Sequence, residues 1–412
     1  AGTYAITASG GVSDNYTFSY TDGTLTVDKA TLSVTADDQS KTYGDANPTL
    51  TVSYSGFVGS DGASALTTAP TASTTATTTS GAGTYAITAS GGVSDNYTFS
   101  YTDGTLTVDK ATLSVTADDQ SKTYGDANPA LTVSYSGFVG SDGASALTTA
   151  PTATTSATTT SGAGTYPITV SGGADNNYTF SYTDGMLTVG KATLSVTADD
   201  KRKVYGEPNP ALTVSYSGFV GNDSESDLDT APVATTTATI SSINGDYPIT
   251  VSGGADNNYT FSYTDGTLTV GQSTQTITFD ALSDKTYGDA PFDLTARASS
   301  DLTVTYSSSD ESVATVSGST VTIVGAGTAT ITASQAGDNN YNAAVPVEQT
   351  LTVDKVLLTV MADDQSKTYG EANPTLTVSY SGFVGSDDKS VLTTVPIATT
   401  MATMVSGSGT YL

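Results

Sequence analysis

Hydrophobic and polar residues alternate with a period of two along most of this chain. Ala30, Leu32 and Val34 alternate with Thr31, Ser33 and Thr35; Leu50, Val52 and Tyr54 with Thr51, Ser53 and Ser55; Tyr85 and Ile87 with Ala86 and Thr88. Further on, Tyr97, Phe99 and Tyr101 alternate with Thr98 and Ser100, and Leu106 and Val108 with Thr105 and Thr107. Period-two patterning rich in β-branched and aromatic residues predicts half-buried antiparallel strands with one core face and one Thr/Ser face. Asp103-Gly104 lies between two such runs and predicts a hairpin, as do Asp22-Gly23, Asp184-Gly185 and Asp265-Gly266. Only the small residues of GSDGASALT, 59–67, predict a short helix.

The pattern repeats. DQSKTYGDANP at 38–48 returns around Tyr124, Tyr205, Tyr287 and Tyr369, at spacings of 81, 81, 82 and 82 residues. A fixed period of this size signals a tandem array of small modules. The boundaries read as 1–28 (the C-terminal part of a module), 29–109, 110–190, 191–271, 272–354 and 355–412 (incomplete). In GTLTVDKATLSV the inward set is odd-numbered before Asp28-Lys29 (Leu25, Val27) and even-numbered after it (Ala30, Leu32, Val34). The buried face therefore flips at the border with no flexible spacer, which predicts stiff joints and a linear array. Gly190 and Gly271 replace the Asp found at positions 28, 109 and 354, which predicts more bending at those two borders. Residues 1–28 resemble a closing hairpin without a module, and 355–412 a module without that hairpin. Two readings follow: a cut through a longer array, or head-to-tail strand complementation between copies.

Composition narrows function by exclusion. With no Cys and no His there is no disulfide, no thiolate or imidazole metal ligand, no Cys nucleophile and no Ser-His-Asp machinery. A formal charge of −28 repels nucleic acid and anionic membrane surfaces, and no apolar run has the length of a membrane span. The sequence thus reads as non-enzymatic, with no nucleic-acid partner and no membrane insertion in this segment.

Four features remain as candidate chemistry. Tyr43, Tyr124, Tyr205 and Tyr369 mark a loop that is either a structural corner or a ligand loop presented once per module. Asp37, Asp38 and Asp45, with Asp118, Asp119 and Asp126, and Asp363 and Asp364, are candidate calcium ligands near the borders, although no DxDxDG spacing accompanies them. Calcium is the one cofactor the sequence raises. The Thr-rich run at 67–80 reads as an exposed strand, and NYT at Asn15, Asn96, Asn177 and Asn258 as a turn entering the Tyr/Phe strand rather than a glycosylation site. The 24 tyrosines raise glycans as a candidate partner, but Tyr54, Tyr97 and Tyr101 fall on the inward phase of their strands. A Lys–Asn isopeptide from Lys41 or Lys122 has no support in the spacing.

Five of the six segments resemble the YGX-type MBG repeats of large bacterial surface proteins through KTYGDANP, LTVSYSGFVGSD, LTTAP, GTYAIT and NYTFSYTDGTLTV. The segment 272–354 differs, and its ATVS followed by TVTIVGAGTATITA resembles group 2 bacterial immunoglobulin-like domains. Together they imply an all-β tandem array of small sandwich or β-grasp-like modules, one of them Ig-like, at the surface of a cell. The function implied is an extracellular adhesin or filament stalk; multivalent glycan binding and head-to-tail fibre assembly are the alternatives, with end-to-end self-association as a candidate interaction.

Overall fold

The computed structural model describes residues 1–411 and is all-β. The chain falls into two compact units: Ala1–Leu194 with Gly218–Ala231 and Gly254–Ser262, and Ser195–Ser217 with Pro232–Gly253 and Tyr263–Leu412. No helix among the described residues is long and apolar enough to cross a membrane.

The first unit opens on strands β1 (Gly2–Ile6) and β2 (Gly23–Val27), paired antiparallel and exposed throughout. The first complete repeat follows: β3 (Ala30–Ala36), β4 (Gln39–Thr42), β5 (Val52–Ser55), β6 (Thr71–Thr74), β7 (Gly83–Ser90), β8 (Tyr97–Thr102) and β9 (Gly104–Asp109). They form a three-stranded sheet, β5-β3-β8, and a four-stranded sheet, β4-β9-β7-β6. The inward positions are those the alternation gives: Leu32, Val34, Ile87, Leu106 and Val108 are buried between the sheets. At about 1.5–3 kcal/mol for each fully buried large aliphatic side chain, these few residues supply most of the stabilisation a module this small can have.

Two expectations fail here. The Asp103-Gly104 step is not a hairpin: β8 lies in one sheet and β9 in the other. Nor are the sheets purely antiparallel, because β3 pairs parallel with β8 and β4 parallel with β9. The chain crosses between sheets twice, at Asp37-Asp38 and at Asp103, and the two crossings run side by side. Gly104 sits at their closest approach, where a Cβ would stand 2.3 Å from the carbonyl oxygen of Ala36. The glycine is there for backbone contact rather than for a turn with positive φ, which is why a hairpin code and a crossover code look alike in sequence. Gly185 and Gly266 meet Ala117 and Ala198 at 2.4 Å in the same way. Gly104→Ala is therefore expected to destabilise the first repeat by about 3 kcal/mol, at the top of the overpacking range, because the obstruction is backbone that cannot rotate away. Local hydrogen exchange in β3 and β9 measures it; a loss under about 1 kcal/mol refutes the crossing contact.

The alternation missed β4 (QSKT), which has no apolar side chain to signal it, whereas β6 lies within the Thr-rich run that reads as an exposed strand. The predicted helix is a single 3-10 turn at Ala63–Ala65. The second repeat in this unit copies the first: Ala111–Ala117 is flanked by Val133–Ser136 and Tyr178–Thr183, and Gln120–Thr123 joins the sheet of Gly185–Gly190, Gly164–Ser171 and Thr152–Thr155. Between β9 and Ala111–Ala117 the buried phase changes from even (Leu106, Val108) to odd (Leu113, Val115), so neighbouring strands serve different cores.

The second unit holds the four-stranded sheet Lys201–Val204, Gly266–Gly271, Gly245–Ser252 and Val233–Thr236. Beyond it comes a separate sandwich. Its sheets are Lys285–Thr286, Val347–Asp354, Gly327–Ser334 and Thr305–Ser308 on one side, and Phe292–Asp293, Thr320–Ile323 and Ala314–Ser317 on the other. Phe279, Leu294, Val321, Ile331 and Leu351 fill its core. Thr359–Ala362 and Val378–Ser381 pair beyond it.

Candidate functional site: a clasp between successive repeats

The recurring Tyr-Gly loop is held to its own repeat and packs against the next. It begins where β4 ends, and the Tyr43 amide donates to the Asp109 carbonyl at 2.8 Å, tying the loop to the last residue of β9. Lys41, 7% exposed, braces it by donating to the carbonyls of Asp45 at 3.0 Å and Thr77 at 2.6 Å. Asn47 donates to the Ala76 carbonyl at 2.6 Å. The loop so held presents Tyr43 and Gly44 to the next repeat.

There the phenol of Tyr43 donates to Asp142 Oδ2 at 3.0 Å, and Tyr178 donates to the same oxygen at 2.7 Å. Tyr178 in turn accepts from the Val139 amide at 2.8 Å, and its ring meets that of Tyr43 edge-on at 5.6 Å. One carboxylate thus gathers two phenols, one from each repeat, a charge-assisted arrangement stronger than a neutral pair. Gly44 has φ +93 and a Cβ there would lie 2.6 Å from Val139, so its missing side chain serves both backbone and contact. A second contact completes the clasp: the Ala82 amide donates to Asn177 Oδ1 at 2.9 Å.

The next pair of repeats copies this closely. Tyr124 and Tyr259 donate to Asp223 at 2.8 and 2.7 Å, their rings meet at 5.6 Å, Gly125 packs on Val220, and Ala163 donates to Asn258. Tyr287 donates to Asp387 at 2.8 Å, with Gly288 against Val384. Tyr205 differs. Its ring meets Tyr341 edge-on at 5.5 Å and the Asn244 amide reaches Asn340 at 3.2 Å, but no carboxylate receives its hydroxyl among the described residues. Nothing stands within 4 Å of a Cβ on Gly206. The segment 272–354 keeps the Tyr-Gly loop, at Tyr287-Gly288, and lacks the GFVGSD turn that supplies the acceptor.

The family model for the MBG domain (YGX type) matches residues 1–26, 32–107, 113–188, 194–269 and 358–412, most of the chain. The chain belongs to the YGX-type MBG domain family. The Tyr and Gly of that motif are, in these MBG repeats, the donor half of the clasp. Residues 270–357 lie outside the match, so the immunoglobulin-like resemblance of that segment stays unsupported by it. No curated protein matches the sequence. Among solved structures, the Drosophila N-cadherin EC1-4 structure shares 12% identity over 66% of this chain and 83% of that chain, with a TM-score of 0.23. The structure of Sidekick-1 immunoglobulin domains 1-4 shares 13% over 66% and 82%, with a TM-score of 0.24.

The remaining candidates find other places in the MBG repeat. Tyr43 and Tyr124, each 8% exposed, offer no platform to a ligand; Tyr205 is half-buried against Tyr341, and only Tyr369, 68% exposed, is open. No group of three or more acidic residues that could hold a metal ion occurs among the described residues. Asp37 accepts from the hydroxyls of Thr51 and Ser53, both at 2.5 Å, and Asp38 from the Thr105 amide at 2.7 Å. Asp118 and Asp119 repeat this with Thr132, Ser134 and the Met186 amide, while Asp45 and Asp126 accept from the amides of Thr42 and Thr123. The acids hold the two crossings and the loop in shape; residues 37 and 38 at a strand end point to different partners, as alternate strand positions do.

The Ser53 and Thr51 hydroxyls hold the Asp37 carboxyl below its ordinary range, and Asp118, Asp199 and Asp363 are lowered by the equivalent Ser and Thr. A depressed carboxylate stabilises the fold above its unfolded value and ceases to do so as pH falls through the folded one. Acid unfolding of the repeats is expected to begin below about pH 4 and to flatten in Asp37→Asn, while calcium or a chelator leaves the thermal midpoint unchanged. A midpoint rise of several degrees with calcium would contradict this.

The acceptor residues Val139, Asp142, Asn177 and Tyr178 escaped the sequence reading. The signal was present: the segment 272–354 keeps TYGD yet loses GFVGSD, so the two motifs are separable halves.

Proposed function

We propose that this MBG array is the spacer of an extracellular adhesin or filament protein, non-enzymatic, carrying load from repeat to repeat and projecting whatever lies beyond it. The observation that supports the reading most directly is the clasp: the motif that defines the repeat is used on its neighbour. A tandem array in which each unit contacts only its neighbours suits a stalk, and an acidic, cysteine-free, Thr-faced surface suits exposure outside a bacterial cell. In this reading the segment 272–354 is a group 2 immunoglobulin-like module inserted among MBG repeats, bringing a donor loop and no acceptor.

The clasp bears on the expectation that Gly190 and Gly271 soften the array. Both carbonyls receive the same loop amide, from Tyr124 at 2.8 Å and Tyr205 at 2.9 Å, as Asp109 does from Tyr43. What differs is the acceptor carboxylate. The Tyr205 loop is therefore expected to exchange its amides at least about tenfold faster than the Tyr124 loop, since a hydrogen bond to a charged group is worth about 1.5–3 kcal/mol. Equal protection would remove the clasp as the determinant of stiffness. X-ray scattering of the whole chain checks the spacer reading, which a collapsed particle would end.

One observation favours a second reading, multivalent glycan binding. Phe99 and Tyr101 stack nearly parallel at 6.0 Å on β8, as do Phe180 and Tyr182 at 6.1 Å, with Tyr101 and Tyr182 each 39% exposed. A recurring aromatic ledge suits sugar stacking, and Tyr101→Ala combined with Tyr182→Ala would weaken glycan binding if this is its use.

A further inference from the structure

Two phenols on one carboxylate are arranged for oxidation as well as for holding. At the first joint Tyr43 and Tyr178 both donate to Asp142 Oδ2, at 3.0 and 2.7 Å, and their rings lie 5.6 Å apart at 88° to each other. At the second, Tyr124 and Tyr259 repeat this on Asp223 Oδ2 at 2.8 and 2.7 Å, again with rings at 5.6 Å and 88°. A phenol that loses an electron becomes strongly acidic, so the electron leaves readily where a positioned base takes the proton in the same step. Asp142 and Asp223 are placed as those bases, and both are half-buried, so each can pass a proton on to water and receive a second. Sharing one oxygen also gathers the two hydroxyl ends, with the ortho carbons that carry phenoxyl spin, into one place. The chain has no Cys, so no disulfide can make these joints covalent.

We propose that Tyr43 with Tyr178, and Tyr124 with Tyr259, are paired modification sites that a one-electron oxidant converts to dityrosine across the joint. Each phenol gives an electron to the oxidant and its proton to the shared carboxylate, which releases that proton to water before the second phenol reacts. The two phenoxyl radicals form a carbon–carbon bond between ortho positions, and the hydrogens on those two carbons move to the oxygens and restore both phenols. The pair loses two electrons and two protons in all, and a peroxide acting through a haem enzyme takes them up as two waters. A phenoxyl no longer donates a hydrogen bond, so the edge-on rings are free to tilt into contact. Because both rings are held in one folded chain, coupling is intramolecular and outruns encounters between chains. The product ties consecutive repeats covalently.

Tyr205 and Tyr341 supply an internal control: their rings lie as close, at 5.5 Å and 78°, yet no carboxylate receives the Tyr205 hydroxyl among the described residues. A dilute solution of the 412-residue chain, flash-oxidised at neutral pH with tris-bipyridyl ruthenium and persulfate, is expected to give monomeric chain lighter by two hydrogen atoms per bond. It should show dityrosine fluorescence, and mass mapping should find the Tyr43 and Tyr178 peptides joined, and likewise those of Tyr124 and Tyr259. The Tyr205–Tyr341 product should be about 100-fold rarer, the lower end of what a positioned base contributes. Asp142→Asn, which keeps an acceptor but no base, should lose the first cross-link by a similar factor and leave the second unchanged. Cross-links confined to exposed tyrosines such as Tyr101 and Tyr182 overturn the proposal, as does an equal yield at Tyr205 and Tyr341. The inference rests on the clasp and not on the spacer reading. Closure of the clasp is read separately, from amide protection at Tyr43, so a protected joint that fails to cross-link would sink the proposal and leave the clasp standing.

Discussion

Gly125→Val is expected to release the second complete repeat from the third, raising exchange in the Tyr124 loop and at the Val220 amide, while Gly206→Val does much less. The two glycines have nearly the same backbone, φ +91 and +83, so the strain of a β-branched residue at positive φ, about 1–3 kcal/mol, is common to both. What differs is the far side. A Cβ on Gly125 falls 2.6 Å from Val220, whereas on Gly206 it meets nothing. Overpacking adds about 1–3 kcal/mol at Gly125 alone, for a total of about 4 kcal/mol. Asp223 then loses the Tyr124 phenol but keeps Tyr259 within its own repeat, so the third repeat should remain folded. Equal effects of the two substitutions would show that the Tyr-Gly loop matters only to its own repeat.

Alkaline pH should open the same joints without mutation. Burial, and then the hydrogen bond to Asp142, raise the Tyr43 phenol above its ordinary value of 10, and Tyr124 is raised by burial and Asp223. Tyr178 is pushed up to about 12, chiefly by burial. A phenol whose folded value is raised stabilises the fold fully below its unfolded value and loses that contribution as pH rises through the folded one. The window is therefore pH 10 to about 12. A phenolate has no proton to donate and repels the carboxylate, so ionisation of either tyrosine opens the clasp. Tyrosinate absorbance should show an early group of ordinary phenols and a late group whose titration coincides with faster exchange at Tyr43 and Tyr124. Asp142→Asn, which removes the charge but keeps an acceptor, should move Tyr43 and Tyr178 to earlier ionisation. An unshifted late group would mean that burial alone sets it.

Much of this protein was legible in its sequence because the information is local. Alternation identified the inward residues Leu32, Val34, Ile87, Leu106 and Val108, since a strand's two faces depend only on odd and even position. Spacing of the tyrosines gave the repeat, and the change of phase read at Asp28-Lys29 has its counterpart at Asp109-Lys110, where neighbouring strands serve different cores. The tertiary structure alone decided the rest. Asp103-Gly104 reads as a hairpin until β3 and β4 are seen crossing beside it, because only the approach of the Ala36 carbonyl distinguishes a crossover glycine from a turn glycine. β4 has no apolar residue to signal it and exists through its parallel pairing with β9. Asp37 and Asp38 resemble metal ligands in one dimension, and in the structure they accept from two hydroxyls and an amide on residues 14 to 67 positions away. Tyr43 looks like a loop tyrosine until Asp142, 99 residues on, is brought to its hydroxyl. A side chain's burial and hydrogen-bonding habit are written in its own neighbourhood, whereas its partner is fixed only when chain closure brings distant segments together, and that closure is where these repeats acquire their joint.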